Sequence, residues 1–513
     1  MRRSGIRRMF AVAALGLSAG GIAGPHRAPA EEPTEKPPAM MKVGLTEADI
    51  TPSIGMECPG GYGKAFHRKV QDPCKVRAAV FDDGASRVAV VSVDALMVPR
   101  ALVEAARAEI GRRCGIAPEA ILIGASHSHS SGPTGMVQPG EFDIDGPLVR
   151  RLAYEKSSCA DPEYLRTVER AVVDAVCQAD AGRVEARCGV GAGREDQVAF
   201  NRRFRMRDGR TLTHPGKGNP DIVEPAGPID PCVGVIGVWD ASGTLLGCVV
   251  NYACHATTPA EGISANWIYW LERTVRGVFG PQAVVVFLQG ASGDVTQVNN
   301  RSTARDPDAA LVGGRVGAEA VKVLLSMPRG RLAPLAARTT TLEIERRRPR
   351  PERVEECLEL VQRPPEEVGH TRWVFAKEIV LLDAIVARGP RQRVEVQAIQ
   401  IGPAVLLANP AEFFCQLGLE IRRESPFALT MPVELANGCV GYVPTEEAFG
   451  PHGGGYETRL TAYSNLEPTA GRRIVEASLE LARQLAPGQP PTEPSSTGWS
   501  KPWEYGNVPP ELD

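Results

Sequence analysis

The stretch Ile121-Leu-Ile-Gly-Ala-Ser-His127-Ser-His129-Ser-Ser-Gly-Pro133 decides how this chain is read. A short apolar run bounded by turn residues reads as a buried strand. This one empties into a loop of small residues that carries two histidines. Residues two apart on an extended chain point the same way, so both imidazoles can face one site. The same pattern recurs. Cys248-Val-Val-Asn-Tyr-Ala-Cys-His255 ends an apolar strand on a histidine, and Val405-Leu-Leu-Ala-Asn-Pro-Ala-Glu412 ends another on a carboxylate. Phe287-Leu-Gln-Gly-Ala-Ser-Gly-Asp-Val-Thr296 ends in a glycine loop whose N–H groups can hold an oxyanion. Read singly, each has a structural alternative: histidines bonded to carbonyls, a core histidine, an acid at a helix N-terminus. Together they place polar groups beyond the carboxyl ends of strands, where α/β proteins bind ligands. Two or three histidines with one carboxylate are the ligand set of a catalytic zinc.

Outward from these motifs, strands alternate with helices. Hairpins are expected over 76–93, 233–252 and 394–408, and helices over 100–113, 164–178, 309–326 and 467–485. The expected fold is α/β, a mixed-sheet catalytic domain over 41–486 with flanking helices and a metal site at strand C-terminal ends. Residues 345–390 read as a charged helical insertion. Its basic opening, Arg346, Arg347, Arg348 and Arg350, reads as a solvated linker. Residues 487–513 are proline-rich and read as an extended tail.

Composition narrows the class. Hydrophobic residues make up 43%, too many for a disordered chain. Lys and Arg number 58 against 61 Asp and Glu, a net charge of −3, so no polybasic face is available for nucleic acid. Residues 1–30 read as a secretory signal: Arg2, Arg3, Arg7 and Arg8, an uncharged apolar run over 9–23, then Ala28-Pro29-Ala30 before two acids. Arg7-Arg8 leaves the Sec and twin-arginine routes both open. The expectation is an exported protein, periplasmic or extracellular, with no transmembrane segment in its mature part. Twelve cysteines without a C-x-x-C pair fit that compartment, and Cys58 with Cys74 is the expected disulfide. The mature part has no Walker loop, G-x-S-x-G elbow or G-x-G-x-x-G fingerprint.

At these residues the chain resembles the neutral/alkaline, non-lysosomal ceramidase family, zinc amidohydrolases that cleave N-acylsphingosine. The marks run from Val43-Gly44 through Gly60-Gly61-Tyr62-Gly63, Ser92-Val-Asp94, Ser126-His127-Ser-His129 and Asn201-Arg202. They continue with Asn251-Tyr-Ala-Cys-His255, Gly293-Asp-Val-Thr296, Pro410-Ala-Glu412 and Gly455-Tyr456-Glu457. The resemblance implies zinc held by His127, His255, Glu412 and Tyr456. It makes His129 the histidine near the scissile carbonyl and Arg202 a donor to substrate. It also makes Asp94 a candidate to orient a ligand histidine, or alternatively a strand-end acid. Thr296 stands where the family has serine and is the third catalytic candidate, its hydroxyl expected to bond substrate or water, while the Pro-Asn that follows there is replaced by Gln297-Val298. The activity implied is hydrolysis of ceramide or a related N-acyl lipid. The alternatives are an amidase or esterase on another acyl substrate, and a non-catalytic metal- or glycan-binding protein. The partner expected is a small-molecule or lipid amide, and the cofactor Zn2+.

Overall fold

The computed structural model describes residues 41–492 together with 503, 505 and 507–512 of the tail. The expected signal, 1–30, lies outside the described residues. Eight strands form the larger sheet: β1 (Met41–Asp49), β2 (Lys75–Asp82), β3 (Arg87–Val93), β4 (Ile121–Ala125), β5 (Val184–Arg194), β6 (Cys232–Asp240), β7 (Leu245–Tyr252) and β8 (Val284–Gln289). Their order is β8-β7-β6-β5-β1-β2-β3-β4. The two outermost pairs, β7–β8 and β3–β4, are parallel and the rest antiparallel. A second sheet orders β9 (Leu335–Glu345), β10 (Arg391–Ile401), β11 (Ala404–Ala408) and β12 (Leu429–Val433) in sequence, with only β11–β12 parallel.

Side chains alternate across each strand, and the sequence supplies apolar residues for both faces. On β7, Cys248, Val250 and Tyr252 join the core under the helices, while Val249 joins the core between the sheets. On β11, Val405 and Leu407 face helices, and Leu406 and Ala408 face the other sheet. Full burial of such side chains contributes about 1.5–3 kcal/mol each. The result is four layers. Helices α1 (Arg100–Cys114), α2 (Pro162–Ala181), α3 (Trp267–Phe279) and α4 (Ala309–Ser326) form the layer over the larger sheet, with α1 resting on α2. The expected α/β fold with mixed sheets and flanking helices is what forms, although the strands divide between two sheets packed face to face.

The segment between β9 and β10 leaves and re-enters a hairpin, because Glu345 and Arg391 are register partners. It holds α5 (Pro351–Leu360) and α6 (His370–Arg388), which share a separate apolar cluster with the helix Pro147–Tyr154. On the outer face of the second sheet lie α7 (Cys415–Glu424) and α8 (Ala470–Arg483). The basic opening of the excursion is not a solvated linker. Arg347 donates to the carbonyls of Thr458, Ser464 and Leu466, three acceptors its fork can satisfy at once. Nor do Cys58 and Cys74 pair: all twelve cysteines are free thiols, and Cys58 Sγ lies 3.4 Å from the carbonyl of His129.

One feature of the larger sheet positions the site. In a flat sheet, six strand spacings would hold the ends of β4 and β7 about 29 Å apart. Here the sheet coils until edge strand β8 packs against β2, β3 and β4. Gly124, without a side chain, leaves the space that Leu288 of β8 and Val433 of β12 approach. The ends of β4 and β7 therefore meet.

Candidate metal centre

His127 follows β4 in a left-handed conformation, φ 60°, which costs a non-glycine residue energy and is held by its surroundings. The extended-chain argument for His127 and His129 therefore gives the right pairing for a different geometric reason. His127 Nδ1–H donates to the Leu96 carbonyl at 2.8 Å, and His255 Nδ1–H to that of Ser292 at 2.7 Å. A carbonyl only accepts, so each tether sets the tautomer and turns Nε2 inward as a free lone pair. Glu412 Oε2 lies 3.3 Å from His127 Nε2 and 3.1 Å from His255 Nε2. His129 Nε2 lies 3.2 Å from His127 Nε2. Donor atoms of the three histidines lie within 4.8 Å of one another. A tetrahedral zinc with bonds of about 2.0–2.1 Å needs ligand atoms about 3.3 Å apart, so this set fits a divalent cation of that kind.

The shell explains how small sequence features serve the site. Gly60, at φ 103°, lies so close to His129 that a Cβ would sit 2.3 Å from its Nδ1. At Gly293 a Cβ would strike the Glu412 carbonyl at 2.5 Å, so glycine lets the 290–296 loop lie on the backbone of the carboxylate. That loop does not offer the expected oxyanion cradle at Gly290, Gly293 and Val295. Their N–H groups donate to Tyr252, Phe413 and Ser292. Its contribution to His255 is carbonyl oxygens, those of Ser292 and Val295. Trp267 donates from Nε1 to the His255 carbonyl at 3.2 Å.

Arg202 is buried beside the cluster. It donates to Glu457 (2.7 Å) and the Gly293 carbonyl (2.8 Å), and its Nη1 lies 3.3 Å from His255 Nε2. Thr296 is buried on the short strand Val295–Thr296, paired with Phe200–Asn201. Its hydroxyl accepts from Val298 N and donates to Gln297 Oε1, both at 3.1 Å. Asp94 touches no imidazole; it takes Arg77 Nη1 and Lys75 N at 2.8 Å each, which is the strand-end role. The hydroxyl that reaches Glu412 belongs to Tyr463, 2.6 Å from Oε1. Tyr456 instead approaches by ring contacts with Tyr442 (5.5 Å) and Tyr62 (6.3 Å), and its hydroxyl makes no hydrogen bond to Glu412 or the histidines. Sequence reading missed Tyr463, Tyr442, Glu457 and Glu434. A tyrosine among loop residues carries no periodic signal, and an acid at a strand end looks like any other.

Electrostatics divide the cluster. Burial opposes charge on His127, but the adjacent Glu412 carboxylate outweighs it and raises the imidazole pKa. Burial and its two histidine neighbours push His129 well below the ordinary value. His255 is lowered to about 4, by burial and then by Arg202. Burial works against the Glu412 carboxylate, yet His127 and the hydrogen bonds to both histidines hold it well below the usual range. Desolvation raises Tyr456 to about 12, so its phenol is neutral at pH 7.

The imidazole–carboxylate cluster at the strand ends of this four-layer α/β fold could hold a metal ion. Two solved structures share the fold. The neutral ceramidase from Pseudomonas aeruginosa aligns with TM-score 0.62 at 20% identity, over 88% of this chain and 76% of that one. A ceramidase complexed with C2 aligns with TM-score 0.61 at 18% identity, over 88% and 77%. No family model and no curated protein sequence matches the chain. The resemblance read from the motifs is borne out in the fold: this chain has the neutral ceramidase fold.

Proposed function

We propose that the chain is an exported, zinc-dependent amidohydrolase that cleaves the amide bond of ceramide or a related N-acyl lipid. The observation that carries this reading is the tethered pair His127 and His255, with Glu412 between their Nε2 atoms. Those residues would hold the metal, with the phenol of Tyr463 or Tyr456 at its edge. Bound there, zinc supplies an acidified water and a polarised acyl carbonyl. His129 is neutral at pH 7, so it can take a proton from the attacking water and return it to the departing nitrogen. Arg202, fixed by Glu457, directs Nη1 at the cluster and favours a developing negative oxygen. Beyond Tyr463 lies a cavity of about 530 Å³ with Met97, Met136, Phe142, Leu165, Leu381 and Val440 in its lining. The chamber touches the cluster through Tyr463, and its mixed lining, with Arg100, Glu141, Arg346 and Glu378 beside those apolar groups, favours an acyl substrate that is part hydrocarbon and part polar.

The test is to express the chain, measure zinc per molecule, and assay a medium-chain ceramide beside short N-acyl amino acids and aryl esters. Stoichiometric zinc with ceramide turnover is the expected result. Turnover of the short acyl compounds alone would transfer the reading to a non-ceramide amidase or esterase. Bound metal without turnover would leave a metal-binding protein, and no metal would overturn the reading.

A further inference from the structure

The two ligand-bearing strand ends that face each other, at His255 and at Glu412, are joined behind the metal centre by one side chain. Glu434 follows β12 and is fully buried. Its Oε1 accepts from Ser292 Oγ at 2.6 Å, and its Oε2 from Phe413 N at 2.7 Å. Ser292 is the residue whose carbonyl tethers His255 Nδ1, and Phe413 is the residue after Glu412. The bridge continues through Gln289, also fully buried, whose Nε2 donates to Ser292 Oγ (2.7 Å) and to the carbonyl of Cys254 (2.8 Å). The backbone N–H of Glu434 closes the loop by donating to the Gln289 carbonyl at 3.0 Å.

Burying a carboxyl group is costly unless its oxygens are hydrogen-bonded. A residue needed only for packing at this junction would be apolar. What a carboxyl group supplies is two oxygens a fixed distance apart, each bonded to a group from a different strand end. Without it, Ser292 Oγ and Phe413 N would be buried without that acceptor, and each would turn its own segment to find another. Such a turn would change the separation of His255 Nε2 from Glu412 Oε2.

We infer that Glu434 is a positioning residue for the metal centre, setting the spacing of His255 and Glu412 through Ser292 and Phe413. It touches neither ligand side chain. This inference rests on the proposed metal site, and it makes a claim about affinity rather than about turnover. Glu434→Gln keeps the shape and turns one of the two bonded oxygens into an NH2 group, which cannot accept from Phe413 N and disturbs one arm of the bridge. Ser292→Ala removes the same link from the other side while leaving the backbone carbonyl that tethers His255.

The experiment uses the full chain. Zinc affinity is measured by competition with a chromogenic chelator, and thermal unfolding of the metal-free protein is recorded alongside. Glu434→Gln should weaken zinc binding 10- to 100-fold, the range typical of groups that orient metal ligands. Ser292→Ala should weaken it in the same direction and by less. A Glu434 that merely supports the fold predicts the opposite pattern: a lower unfolding temperature of the metal-free chain with zinc affinity unchanged in both variants. That pattern overturns the inference. Should Glu434→Gln fail to fold, unchanged zinc affinity in Ser292→Ala overturns it equally. A parent chain that binds no zinc overturns the proposed function instead, so the two failures are separate.

Discussion

Two largely buried polar clusters lie by strand ends of the larger sheet, and they are built on opposite rules. At one, Arg77 sits between Asp94 (2.8 Å) and Glu272, and Lys75 reaches Glu272 at 2.7 Å. Positive and negative charges interleave, and the donors of Arg77 are spent on acids. At the other, three imidazoles crowd around a single carboxylate, their nitrogens 3.1–3.3 Å from it or from one another. Lone pairs of His127, His129 and Glu412 face one another there, an arrangement that a proton or a metal ion relieves. Charge pairing closes the first cluster, Asp94 Oδ1 excepted, and the second is open. Closure marks a structural ion network; convergence of acceptors marks a site. Burial and strong pKa shifts alone do not separate them, because both clusters show both.

The comparison can be broken most forcefully at His255. His255→Ala should abolish zinc binding and cut activity by 10³-fold or more, while the chain stays folded. Zinc content and turnover measured on one preparation check both halves. The mirror experiment is Arg77→Met. It leaves Asp94 buried without its cation and Glu272 with Lys75 and Arg276 alone, and breaking a buried pair costs about 3–5 kcal/mol. Urea unfolding should show that loss, with zinc per folded molecule unchanged. If Arg77→Met instead lowered zinc content, the two clusters would not be independent.

A third prediction sharpens the contrast through pH. Burial works against the Glu272 carboxylate, but Arg77, Lys75 and Arg276 hold it at about 2, below its ordinary 4.5. A depressed carboxylate contributes stability that is complete above the unfolded pKa and is lost as pH falls through the folded one. The loss belongs between about pH 4.5 and 2, and a shift of that size corresponds to about 3 kcal/mol. Glu272→Gln should flatten that part of the stability curve, measured by urea unfolding at successive pH. His255, lowered to about 4, binds its proton later than an unfolded histidine does. It therefore withdraws stability from the metal-free chain in a higher window, between about pH 6.5 and 4.

The smallest expected effect is at Thr296. Its hydroxyl brackets the Val298 N–H and Gln297 within the loop, so Thr296→Ser should leave activity within about twofold. Thr296→Val should cost about 1 kcal/mol, the usual value of a hydrogen bond lost in place. A much larger drop in activity with zinc content unchanged would place that hydroxyl on the substrate.

The strands and helices were legible because their signals are local. Residues 309–326 show helical spacing and form α4 at those limits, and the three hairpins pair as their turns dictate. The strand-end residues were legible for the same reason: an apolar run that stops on His255 or Glu412 is a statement about neighbours in sequence. Reading failed where a side chain's partner is distant along the chain. Arg347 looked solvated because its acceptors, Thr458, Ser464 and Leu466, lie more than a hundred residues away. Asp94 invited pairing with a histidine, yet Arg77 took it and Leu96 took His127. Tyr456 was chosen for its motif, whereas Tyr463 holds the hydrogen bond to Glu412.

By itself, then, the sequence determined which side chains would stand at the ends of which strands, since period and turn chemistry act over a few residues. It could not determine that β4 and β7, six strands apart, would bring His127 and His255 to ring centroids 4.6 Å apart. That depended on the coil of the sheet, which closes β8 onto β2, β3 and β4 and packs Leu288 against Gly124. It depended equally on the second sheet, which carries Glu412 in from an independent direction. Twist and packing are properties of the assembled layers, and no window of the chain contains them.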